Sequence, residues 1–116
     1  MDYFSIYEQW LSDEQLDPTL KKELVAIQGD EEEIKDRFYQ SLRFGTAGLR
    51  GKLGAGTNRM NVVTVGQATE GFARMIADCG EEAKQKGVAI GYDVRHMSRE
   101  FAHLSAEIFA AHGIRV

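Results

Sequence analysis

The sequence holds 116 residues, 43% of them hydrophobic and 28% charged, with a net charge of −4, the proportions of a soluble globular chain that is one domain or part of one. There is no broad cationic field to suit nucleic acid, no apolar run approaches a membrane span, and the first ten residues are too polar for a secretory signal. The single cysteine, Cys79, cannot close an internal disulfide and reads as a small core residue in a reducing, cytoplasmic setting.

Residues 1–42 read as a helical N-terminal extension. Tyr3, Ile6, Tyr7, Trp10 and Leu11 recur at the spacing of one helix face. Asp17 followed by Pro18 predicts a second helix, with the carboxylate as cap and the proline in the first turn. Leu20, Leu24 and Ile27 are its apolar stripe, and Gly29 ends it. Asp30 caps a third helix, where Glu31, Glu32 and Glu33 suit the positive end of the dipole and Ile34, Phe38 and Leu42 form the buried side. The acidic run is a solvated helix start and not a metal site.

Next comes LRFGTAGLRGKLGAGTN, residues 42–58, with five glycines in twelve residues and the cations Arg43, Arg50 and Lys52. Such density argues against any long regular element, because glycine permits positive φ and close backbone approach at an entropic cost. Two readings stand. One is a tight, bulged hairpin whose glycines only make turns; the other is an anion site in which exposed amides and Arg50 receive a phosphate.

Asn61 predicts the cap of a long helix with Val65, Ala68, Thr69, Phe72, Met75, Ile76 and Cys79 on its buried face. Gly80 closes it, and residues 81–86 follow as an exposed tail or turn up to Gly87. Val88 to Tyr92 reads as a strand buried on both faces. Ser98 then caps a helix carrying Phe101, Leu104, Ile108 and Phe109, Gly113 ends it, and Ile114 opens a further strand. The order is that of a βαβ unit. The expectation is an α/β fold: a truncated three-layer domain whose mixed, largely parallel sheet is covered by helices. Because Val116 lies just inside a strand, the chain is expected to be a fragment, and its unfinished sheet edge to allow a homodimer.

Common phosphate motifs do not fit. A Walker loop would need four residues between Gly45 and Gly51 where there are five, and a hydroxyl where Leu53 stands. A dinucleotide fingerprint would need glycine at Arg59 and a helix opening there. His96, His103 and His112 have no metal-ligand spacing with Cys79 or with acids, and no Ser-His-Asp or Cys-His set is visible.

Phe44-Gly45-Thr46-Ala47-Gly48-Leu49-Arg50-Gly51 does resemble the opening signature of the α-D-phosphohexomutases, the phosphoglucomutase/phosphomannomutase family. Gly91-Tyr92-Asp93-Val94-Arg95-His96-Met97-Ser98 is similar to that family's Gly-x-Asp-x-Arg-x-x-Ser segment. The helical lead-in and the GAGTNRMN run are most similar to the branch of longer phosphoglucomutases and phosphopentomutases.

This resemblance implies residues 43–116 as an incomplete first domain, one of four around a cleft. It also implies a reaction in which a phosphoserine phosphorylates a hexose monophosphate and regains the other phosphate from the bisphosphorylated sugar. Magnesium and hexose 1,6-bisphosphate would serve the full-length enzyme, with neither bound by this stretch alone. Arg50, Thr46, Ala47 and Gly48 are the implied phosphate-binding wall. Arg95 is either a second phosphate contact or a structural partner of Asp93. The resemblance puts no catalytic serine here, since neither Ser98 nor Ser105 stands in the nucleophile's context. The implied partners are a hexose phosphate and the remaining domains. Mannose and pentose phosphates stay open as substrates, as do a non-catalytic anion-binding module and a purely structural α/β domain.

Overall fold

A computed structural model describes residues 2–45 and 48–116. In order these form α1 (Tyr3–Ser12), α2 (Pro18–Ala26), α3 (Glu31–Phe38), β1 (Phe44–Gly45), β2 (Gly48–Leu49), α4 (Val62–Asp78), α5 (Glu81–Lys86) and α6 (Ser98–Ala111). By packing the chain divides into two compact units, Met1–Thr64 and Val65–Val116. Among the described residues no helix is long and apolar enough to cross a membrane.

In the first unit, local chemistry sets the helix starts. Asp2 accepts the Ser5 amide, Asp17 those of Thr19 and Leu20, and Asp30 that of Glu33, each satisfying donors that a helix leaves open at its first turn. Tyr7, Leu16, Leu20, Leu24, Ile34, Phe38 and Ala55 make one core. Phe38 is its centre, with the Tyr7 and Trp10 rings edge-on at 5.8 and 5.5 Å, a favoured aromatic geometry. The Tyr7 hydroxyl donates to the Leu24 carbonyl at 2.8 Å, which occupies one of the acceptors left open in the last turn of α2.

In the second unit Ala73, Phe109 and Ile114 are buried together, with Ile76, Val88, Ile90 and Ile108 against them. His112 Nε2 and Glu70 Oε1, 2.8 Å apart, tie the end of α6 to α4. Gly87, at φ +77, closes α5 where a Cβ would stand 2.4 Å from the Arg115 carbonyl oxygen, so only glycine fits there.

Several elements differ from the sequence expectation. Residues 88–92 and 114–116 form no strand; the Val88 amide bonds the Arg115 carbonyl at 2.8 Å, and no ladder extends from it. A strand exists only through its neighbours, and Tyr92 is exposed where burial on both faces was expected. The sheet of the described residues is therefore the antiparallel pair β1–β2, and the edge proposed for a homodimer is not formed by residues 114–116. Residues 81–86 are helical instead of an open turn. Ser98 is the first residue of α6 and not its cap; Met97 occupies the cap position at φ +67, and the Ser98 hydroxyl accepts the Asp93 amide instead. Cys79 is exposed, as are Phe72 and Met75 at 49% and 57%. The buried line of α4 runs through Val65, Thr69 and Ala73.

Candidate functional site

Phe44 pairs with Leu49 and Gly45 with Gly48, so the signature residues form a minimal antiparallel hairpin. Gly48 sits at φ +107, a conformation glycine adopts without strain. Thr46 and Ala47, two of the expected phosphate-binding residues, lie outside the described residues. Arg50 follows β2 directly, is exposed, and makes no ion pair or hydrogen bond with another described residue. A free guanidinium presents a planar fork of donors suited to two phosphate oxygens at once.

The hairpin has a built base. The Leu42 amide donates to the Thr57 carbonyl at 3.0 Å and the Met60 amide to the Lys52 carbonyl at 2.7 Å, while the Gly54 amide reaches the Met60 carbonyl at 3.1 Å. Both ends of the excursion are thus fixed on residues 57–60. Gly51 faces Leu42, whose Cδ2 would lie 2.6 Å from an added Cβ.

That base is bolted to α3. Arg37 Nη1 bonds Glu23 at 3.0 Å and the Ala55 carbonyl at 3.1 Å, its Nε bonds Glu33 at 2.9 Å, and Glu23 also accepts the Ala55 amide at 3.3 Å. Gly56, at φ +130, brings the loop so near that a Cβ would be 2.6 Å from the Arg37 carbonyl oxygen. Arg59, only 5% exposed, pairs with the Asp36 carboxylate and bonds the Asn58 carbonyl at 3.1 Å. The Arg59 hydrogen bond holds the Asp36 carboxyl below its ordinary range. Asn61 donates to the Gly54 and Gly56 carbonyls at 2.8 and 2.9 Å, and its Oδ1 accepts the Val63 and Thr64 amides to cap α4. Motif reading passed over Arg37 and Arg59. The i,i+4 spacing of Glu33 and Arg37 was the visible signal for Arg37, while no local spacing marked Arg59.

Arg95 belongs to the second unit and Arg50 to the first, so each is placed within its own surroundings. Arg95 is highly exposed and pairs with Asp93, Nε to Oδ2 at 3.3 Å. The backbone amide of Arg95 and the Ser98 hydroxyl hold the Asp93 carboxyl below its ordinary range. Asp93 is thus the anchor of a small turn, the structural half of the two roles open to Arg95.

The described residues hold no group of three or more His, Cys, Asp or Glu side chains able to take a metal ion.

Residues 41–116 match the family described as phosphoglucomutase/phosphomannomutase, alpha/beta/alpha domain I. The chain belongs to that family. A phosphopentomutase from Pongo abelii is 41% identical over 116 residues, covering 93% of this chain and 19% of that protein. A phosphoglucomutase from Staphylococcus epidermidis is 41% identical over 101 residues, 87% of this chain and 18% of that protein. A probable phosphoribomutase from Schizosaccharomyces pombe is 37% identical over 112 residues, 95% of this chain and 19% of that protein. The chain thus spans about a fifth of the length of these curated relatives. No solved structure matches it.

Proposed function

We propose that this chain is the N-terminal part of domain I of a phosphoglucomutase-type enzyme, which interconverts hexose 1-phosphate and hexose 6-phosphate through a phosphoserine and a bisphosphorylated sugar. The observation that carries the reading is Arg50. It is an exposed guanidinium with no partner among the described residues, standing at the end of β2 inside the family signature.

In such a transfer a sugar hydroxyl oxygen attacks phosphorus, the bond to the serine oxygen breaks, and negative charge spreads over the equatorial oxygens. Placed cations and amides lower that barrier. Arg50 would grip those oxygens, with Gly48 and the residues beside it lining the same wall. Here the Ser98 hydroxyl accepts the Asp93 amide at 3.1 Å, and the Ser105 hydroxyl lies 3.1 Å from that of Thr69. Neither stands in the sequence context of the family's esterified serine, so the reading takes that serine from elsewhere in the complete polypeptide.

A pentose phosphate substrate is the second reading, favoured by the phosphopentomutase at 41% identity over 93% of the chain. Comparing kcat/KM of the complete enzyme for glucose 1-phosphate and ribose 1-phosphate separates the two. Arg50→Ala in that enzyme is expected to lower turnover by ~10²–10³-fold, the scale for losing one transition-state donor, with the thermal midpoint unchanged. A loss of less than a few-fold would reduce Arg50 to a surface residue and overturn the reading.

A further inference from the structure

Arg50 is two residues from the Lys52 carbonyl, one of the two roots of its hairpin, and both roots are bonded to residues 57–60. Residues 57–60 are held on α3 in turn by the Asn58 amide, which donates to the Arg37 carbonyl at 2.9 Å, and by the Arg59 side chain, which pairs with Asp36. The side-chain candidate is Arg59, at 5% exposure, because its guanidinium reaches both the carboxylate and, at 3.4 Å, the backbone carbonyl of Asp36. The same segment is held again by Asn58 Nδ2, which donates to the Asp36 carbonyl at 3.1 Å.

We propose that Arg59, latched by Asp36, is a positioning residue for Arg50: it seats residues 57–60 on α3 and so sets the bearing at which the hairpin presents its guanidinium to a phosphate. This rests on the reading of Arg50 given above. Burying a guanidinium costs desolvation that its partner barely offsets, and an apolar side chain of similar volume often stabilises as well. The return on this pair is therefore geometric. It selects a seat for the loop, since Arg59 meets the Asp36 carboxylate and the Asp36 carbonyl together there. Transfer chemistry is sensitive to such placement, with a 1 Å error costing up to ~10²-fold.

The test is a double-variant cycle in the complete enzyme, with Arg50→Ala, Arg59→Met and the two combined. Turnover is measured on whichever of glucose 1-phosphate and ribose 1-phosphate reacts faster, and thermal midpoints are recorded alongside. Arg59→Met is expected to lower kcat roughly 10- to 100-fold with KM little changed, and Arg59→Lys to recover part of that loss. In the Arg50→Ala background the Arg59→Met loss should vanish, because no guanidinium remains to be aimed. If Arg59→Met does not fold, Asp36→Asn takes its place in the cycle, removing the charge of the latch at a side chain that is 53% exposed. Equal losses in both backgrounds, or none in either, would overturn the positioning role and leave Arg50 standing. Full turnover in Arg50→Ala, or no turnover of either sugar phosphate by the unaltered enzyme, would overturn both.

Discussion

Gly56 is held where an added methyl would collide with the Arg37 carbonyl oxygen at 2.6 Å, and its φ of +130 is foreign to other residues. Gly56→Ala is therefore expected to cost about 1–3 kcal/mol for backbone conformation alone, with the collision adding to it. A chemical-denaturation midpoint unchanged from the parent would contradict this. Tyr7 offers a milder case. Tyr7→Phe keeps the ring in the core but leaves the Leu24 carbonyl without its 2.8 Å donor, an expected loss of about 1–3 kcal/mol by the same measurement. The run of glycines was plain in the sequence, but which of them is forced by a neighbour was not. That depends on how closely α3 approaches, a distance no local pattern records.

Among the elements, helix starts were legible because their chemistry is local. Asp17, Asp30 and Asn61 cap as their spacing predicts. The α4 face was read wrongly in part, because apolar periodicity follows bulk. Close helix packing is made here by small residues: Ala73 is fully buried, and a Cβ on Gly66 would lie 3.8 Å from Ile108 and Leu104, while Phe72 and Met75 face outward. Strands were harder still, since the run Val88 to Tyr92 has the composition of one and lacks the neighbours that would make it one. The link between α4 and α6 has a titration of its own. His112, followed by Arg74, bonds the Glu70 carboxylate and holds its pKa below the ordinary 4.5. A lowered folded pKa stabilises at pH above the unfolded value and loses that contribution as pH falls through the folded one. The stability difference between the parent and Glu70→Gln is thus expected to close as pH is lowered through and below 4.5. A constant gap followed by thermal unfolding would remove this link.

Across the whole molecule, the family and its signature were legible, while the supports of that signature were not. Arg37, Arg59 and Asn61 act from outside the signature, on partners up to 23 positions away. The reading of the chain as one part of a larger enzyme makes a plain prediction. The 116 residues alone should convert no glucose 1-phosphate to glucose 6-phosphate, because neither Ser98 nor Ser105 stands in the sequence context of the family's esterified serine. Sustained conversion in a coupled assay would contradict it. The closed stem beneath the hairpin has a consequence for engineering and for descent alike. With Leu42 and Lys52 both docked on residues 57–60, the signature rises from a socket that lies outside it. A signature borrowed from a relative that keeps the arginine would plug into the same socket and inherit its aim.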